Sequence, residues 1–206
     1  MRLALPALLL ALSGCSVIEP PAGLVVQPHR DWRAIATEAD RERLRDWRSA
    51  FTSALVAARA SGHGEKIARE GALLDPDAAL PGPAIPEGLY RCRVIKLGAK
   101  SPGMLDFVAY PGFDCRVSKE GERQAFAKLT GSQRHVGILF PLDQLRQVLL
   151  GTLILGDEAA ARQYGVDPVR NLAAFLERIG PDRWRLVMPS PAFESQLDVM
   201  ELVPAP

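Results

Sequence analysis

Apolar positions change their period partway along this chain, and the change separates a helical stretch from a β-rich one. Leu44, Trp47, Phe51 and Leu55 recur at steps of three and four, while Arg41, Glu42, Arg45, Asp46 and Arg48 fall mostly between them. That spacing lays one apolar stripe along a helix. Thr37-Glu38-Ala39-Asp40 reads as an N-cap followed by acidic residues in the first turn, where a carboxylate suits the helix dipole. With Gly62 as its end, the helix has about six turns. A short second helix is expected over residues 67–74, after which Asp75-Pro76-Asp77 and Pro81, Pro83 and Pro86 end the helical regime.

From Leu89 the period falls to two. Tyr90, Cys92 and Val94 alternate with Arg91 and Arg93, and Phe113, Cys115 and Val117 alternate with Asp114, Arg116 and Ser118. Further strands are expected over residues 105–110, 124–130, 135–140, 147–155 and 197–203, with turns at Lys119-Glu120-Gly121-Glu122, Gly131-Ser132 and Gly156-Asp157. Residues 158–163 read as a helical turn or two. Residues 175–179 and 184–188 flank Gly180-Pro181-Asp182 as a hairpin, although 172–179 also fits a helix. Trp184, Leu186 and Met188 are expected in the core, with Arg183 and Arg185 solvated on the opposite face. Short consecutive strands joined by tight turns favour an antiparallel meander. The fold class is therefore α+β, mainly β with N-terminal helices, the sheet being closed or strongly curled, barrel-like, and about eight or nine strands wide.

The N-terminus carries an address. Leu12-Ser13-Gly14-Cys15 follows an apolar run of about ten residues, too short to span a bilayer as a helix but suited to the core of a secretory signal. The four residues resemble a bacterial lipobox, in which a Leu and two small residues precede the Cys whose thiol accepts diacylglycerol. The alternative is an ordinary signal peptide or a buried N-terminal helix. On the lipobox reading, residues 1–14 are a lipoprotein signal peptide, 15–30 a lipidated tether and 31–206 a single domain, helical over 31–75 and β-rich over 88–204. The tether contains Pro20, Pro21 and Pro28 and reaches up to about 45 Å from the membrane at roughly 3 Å per residue. Ser16 follows the acylated Cys. In lipoproteins generally a residue other than Asp there goes with outer-membrane sorting, so the resemblance implies the periplasmic face of that membrane.

Charge and cysteine content narrow the partners. Lys and Arg number 25 against 24 Asp and Glu, a net charge of +1 without a basic run, which argues against nucleic acid. With Cys15 carrying lipid, Cys92 and Cys115 remain as a pair in an oxidising compartment, and a disulfide between them is expected. Closing a loop of that size stabilises by on the order of 3 kcal/mol. Two isolated Cys and the scattered His29, His63 and His135 form no recognisable metal set, and no cofactor is implied.

Candidate chemistry is sparse. Ser132, Arg134 and His135 lie close in sequence but lack the strand-turn-helix setting of a nucleophile elbow, so a polar turn entering a strand is the plainer reading. Glu70, Asp75 and Asp77 form an acidic group that also fits helix-end and turn chemistry. Lys96 continues the inward phase of Tyr90, Cys92 and Val94, and Lys128 shares a face with Phe126 in the same way. Cationic residues at the mouth of a barrel, Lys96 and Lys128 with Arg134 nearby, could hold an anionic group. The plainer reading is that both lysines extend to solvent at strand ends, their stems covering apolar surface.

At Tyr90-Arg91-Cys92-Arg93-Val94-Ile95-Lys96-Leu97-Gly98, at Lys128-Leu129-Thr130-Gly131-Ser132-Gln133-Arg134, and at Leu176-Glu177-Arg178-Ile179-Gly180 followed by Arg183-Trp184-Arg185-Leu186-Val187, the chain resembles the uncharacterised domain-of-unknown-function family DUF4893. Its members are exported proteins of Gram-negative bacteria. The resemblance covers residues 31–204 and implies no activity. A fainter similarity is to membrane-bound lysozyme inhibitors, small lipoprotein barrels with an early Tyr-x-Cys strand; this chain is longer, has N-terminal helices and shows no inhibitor loop.

These readings favour a non-enzymatic envelope lipoprotein, held at the membrane by its lipid, that binds a small molecule or a protein. The alternatives are a periplasmic hydrolase drawing acid and base from Glu70, Asp75, Asp157, Glu158 or His135, and a structural adaptor in envelope assembly. Because the Cys15 thiol is the acyl acceptor, Cys15→Ser should leave an unprocessed or soluble precursor in membrane fractionation and intact-mass measurement. An unmodified wild-type N-terminus in a competent host would refute the anchor.

Overall fold

A computed structural model describes residues 31–206; Cys15 and the expected signal peptide and tether lie outside the described residues. Four short α-helices come first: α1 (Trp32–Ile35), α2 (Glu38–Arg45), α3 (Trp47–Ala58) and α4 (Gly64–Glu70). Thr37 caps α2 as expected, its hydroxyl accepting from the Asp40 amide at 3.2 Å. The single six-turn helix does not form. Asp46, at φ −91° and ψ 11°, interrupts it, and the two halves pack on different parts of a curved wall. Leu44 joins Trp32, Phe140, Val148 and Phe175, whereas Phe51 and Leu55 join Ile95, Leu97 and Val199. One straight rod could not follow both surfaces. After α3 a π turn containing Gly62 at φ +84° redirects the chain into α4 and then a 3-10 turn, Gly71–Leu74.

Nine strands follow: β1 (Gly88–Ala99), β2 (Phe107–Ala109), β3 (Phe113–Glu120), β4 (Arg123–Lys128), β5 (Gln133–Pro141), β6 (Arg146–Leu155), β7 (Asn171–Gly180), β8 (Arg183–Pro189) and β9 (Ser195–Pro204). All pairings are antiparallel. From β3 to β9 each strand pairs with the next, and β9 returns to β1 from Tyr90↔Pro204 to Ala99↔Ser195. The sheet is thus an eight-stranded closed barrel, with β2 as an extra strand on the far half of β1. Residues 158–163 are irregular chain instead of helix, and 172–179 belong to β7.

Inside the barrel, Tyr90, Cys92, Phe126, Leu149, Trp184 and Leu202 are among the packed residues. Cys92 and Cys115 form a disulfide between neighbouring strands with a Cα separation of 6.1 Å, within reach of such a bridge. Gly137 and Gly151 face each other across β5 and β6. A Cβ on Gly151 would lie 2.0 Å from the Val136 carbonyl oxygen, so this close approach of the strands admits no side chain. One end of the barrel is stopped by Ile85 from the proline-rich crossing. Gln124 Nε2 donates to the Ile85 carbonyl at 2.7 Å, and Gln147 Nε2 donates to Gln124 Oε1 at 3.2 Å.

Arg185 is not solvated, although it does point away from Trp184 and Leu186. It is fully buried on the outer face beneath the helices. Its guanidinium pairs with equally buried Glu177 at 2.7 Å and donates to the carbonyls of Ala72, Leu73 and Asp75 at 2.7–2.9 Å. Arg146 reaches the other Glu177 oxygen at 2.6 Å. The carbonyls that end the helical segment are therefore satisfied by a side chain of the barrel wall.

Candidate functional site

At the end of the barrel opposite Ile85 lies a cavity of about 390 Å³, lined by Val94, Lys96, Tyr110, Pro111, Phe113, Lys128, Gly131, Ser132, Gln133, His135 and Glu194. It is built by the ends of β1 and β4, the starts of β3 and β5, and the turns that join them. The alternation within β1 and β4 turns both lysines inward. Closure of the wall keeps them there, 6% and 4% exposed.

Lys96 is met by carboxylates. Its Nζ lies 2.9 Å from Asp198 Oδ2, directly opposite in the β1–β9 register, and 3.2 Å from Glu194 Oε2. Burial works against the ammonium charge, but the attraction and hydrogen bonds of Asp198 and Glu194 outweigh it, and the Lys96 pKa lies above its ordinary value. Asp198 is itself buried and receives the Ser195 hydroxyl. Burial raises its pKa, against the pull of Lys96.

Lys128 is held differently. Its Nζ donates to the Thr130 and Gln133 carbonyls, each at 2.8 Å, and sits 3.6 Å from the centroid of the Phe113 ring. Among the described residues no carboxylate pairs with it. Burial, and after it repulsion from Arg134 and Lys96, brings its pKa down to about 8. The turn over this ammonium needs Gly131, whose backbone is at φ +90° and whose Cβ, were there one, would stand 2.7 Å from Lys128 Nζ.

His135 completes the inner layer and is 4% exposed. Burial first, then Lys128 and Lys96, holds its pKa at about 3, so the imidazole is neutral at physiological pH. Its Nδ1 is buried without a hydrogen-bond partner among the described residues. The lining therefore combines one cation balanced only by carbonyl dipoles and a ring, the Lys96–Glu194 ion pair, a neutral imidazole, and an apolar wall of Val94, Tyr110, Pro111 and Phe113.

Most of the other residues singled out from sequence go elsewhere. Arg134 lies on the opposite side of β5 from His135, and it donates to the Gly156 and Glu158 carbonyls at 3.2 and 2.6 Å. Ser132 lines the cavity but makes no hydrogen bond to His135. Glu70 pairs with Arg93, Asp77 with Arg48 and Glu158 with Arg170; Asp75 and Asp157 are exposed in turns. None of these carboxylates lines the cavity. Sequence reasoning passed over Glu194 and Asp198. Asp198 did carry a signal, since it shares the inward phase of Met200 and Leu202; Glu194 sits in a turn and carried none.

A neutral His135 makes stability depend on acid. The unfolded imidazole takes a proton near pH 6.5 and the folded one only near 3, so stability is full above 6.5 and falls as pH drops through that window. Denaturant unfolding from neutral pH to about pH 4 should show wild type losing up to about 1.4 kcal/mol per pH unit more than His135→Gln. Parallel profiles would mean that His135 is not held neutral.

No curated protein and no solved structure matches the chain. The family described as Domain of unknown function (DUF4893) matches residues 32–202, which take in the helices, the barrel wall as far as Leu202 and every residue of this cavity, and the chain belongs to that family.

Proposed function

We propose that this protein is an envelope lipoprotein, anchored through Cys15 at the periplasmic face of the outer membrane, whose barrel works as a binding module without catalytic chemistry of its own. The supporting observation is the cavity at the open mouth, where a buried ammonium keeps unused hydrogen-bonding capacity beside an apolar wall. Small-molecule sites are typically concave, mostly apolar and furnished with a few convergent polar groups, and the mouths of barrels are a recurrent place for them. The volume of about 390 Å³ falls in the usual range of such sites. The hydrolase reading draws no comparable support, because Glu70 and Glu158 are engaged by arginines and no carboxylate among those considered meets His135 in this cavity.

The test uses lipidated protein from its native envelope, purified in mild detergent and examined by native mass spectrometry. A non-covalent mass excess is expected on wild type, and it should be lost from Ser132→Trp, which places an indole at the exposed rim while sparing the core. No bound compound on wild type, or the same compound on both proteins, would contradict a mouth site.

A further inference from the structure

We propose that the mouth selects small organic anions carrying one acidic group and an apolar body, with the acidic group seated on Lys128 and with Glu194 acting as an internal carboxylate that competes for the same region. This deepens the binding reading above and rests on it.

Selection for an anion follows from how the two inward ammonium groups are balanced. Lys96 has two carboxylates, Asp198 at 2.9 Å and Glu194 at 3.2 Å. Lys128 has only the Thr130 and Gln133 carbonyls and the face of Phe113. Two carbonyl dipoles satisfy two of its three N–H groups and leave the charge without a counterion. A buried charge of that kind favours a guest of opposite sign, and a hydrogen bond between ions is about twice as strong as one between neutral groups. Tyr110, Pro111 and Phe113 offer the body of the guest an apolar wall.

Glu194 is the residue placed to compete. Its backbone is at φ +67°, in the left-handed region that few residues other than glycine adopt, and Ser190 at the start of the same β8–β9 turn is at φ +46°. The Glu194 side chain is 43% exposed while that of Asp198 is 3% exposed. Asp198 alone leaves Lys96 paired, so the Glu194 carboxylate can leave the rim without stranding a buried charge. Where it stands, it puts negative charge in the lining that an incoming anion would occupy.

Two fluorescent probes of nearly equal shape separate charge from apolar contact: 8-anilinonaphthalene-1-sulfonate, an anion, and N-phenyl-1-naphthylamine, its neutral counterpart. Wild type should bind the sulfonate saturably and roughly tenfold or more tighter than the amine, and salt should erode the difference. Lys128→Met should remove that preference and leave the amine unchanged. Should Lys128→Met fail to fold, Ser132→Glu serves instead, since it adds a rim carboxylate at an exposed position and should weaken only the sulfonate. Glu194→Gln should tighten the sulfonate several-fold and leave the amine unaffected. Equal affinity of wild type for both probes would overturn anion selection while leaving a mouth site in place. A sulfonate preference that survives Lys128→Met or Ser132→Glu would overturn the role of Lys128, and an unchanged Glu194→Gln would overturn competition by Glu194. Binding of neither probe would overturn the inference, and the mass excess on native protein would still decide the binding reading separately.

Discussion

Closure of the sheet through β1 and β9 is the constraint on which the rest of this structure depends. Once Tyr90 to Ala99 pair with Ser195 to Pro204, the inward phase of every strand loses its route to solvent along the sheet face. An open sheet would let Lys96 and Lys128 extend past an edge. In a closed wall each inward polar group must find a partner within the barrel or at its mouth. Asp198 answers Lys96 across the closing seam, and Gln124 and Gln147 hold the Ile85 backbone at the stopped end. The disulfide ties β1 to β3 beside the same seam, on the strand that bears both pairings of the closure.

The helices extend this logic to the outer surface. α3 lies across β1, β8 and β9, and α2 lies against β7, so β7, β8, most of β9 and the second half of β1 are buried on both faces. That is why Arg185 and Glu177, which point outward, are as inaccessible as any core residue. Removing one member of such a pair typically costs about 3–5 kcal/mol because the other is left as an unbalanced buried charge. The pair also explains how a proline-rich crossing and a short 3-10 turn stay docked: Arg185 holds three of their carbonyls.

What was legible in the sequence followed from the same geometry. Alternation is clear in β1 and β3, where one phase carries the arginines and the other is apolar, and it correctly turned Lys96 and both Cys inward, as the shared face with Phe126 in β4 did Lys128. It left β7 open, because burial on both faces makes a continuous apolar run that fits a helix as well as the strand that forms. Parity also says which way Arg185 points without saying whether a helix covers it. The break at Asp46 was hidden because the apolar spacing continues through it, although each half meets a different part of the wall. At the candidate site, Arg134 was grouped with the lysines by nearness in sequence, yet one residue along a strand reverses the face. Glu194 lies far along the chain in an irregular turn, so only the fold brings it to Lys96.

Lys128 at the mouth is an inward ammonium balanced by carbonyls and a ring where its neighbour Lys96 has carboxylates. Nitrogen-15 NMR of lysine-labelled protein, with the Lys128 side-chain signal assigned through Lys128→Arg, follows its titration directly. A midpoint near 8, against the ordinary 10.5, is the result expected for a buried cation without a counterion. A midpoint at or above 10.5 would contradict the account, since it would show Lys128 to be solvated or already paired with a carboxylate.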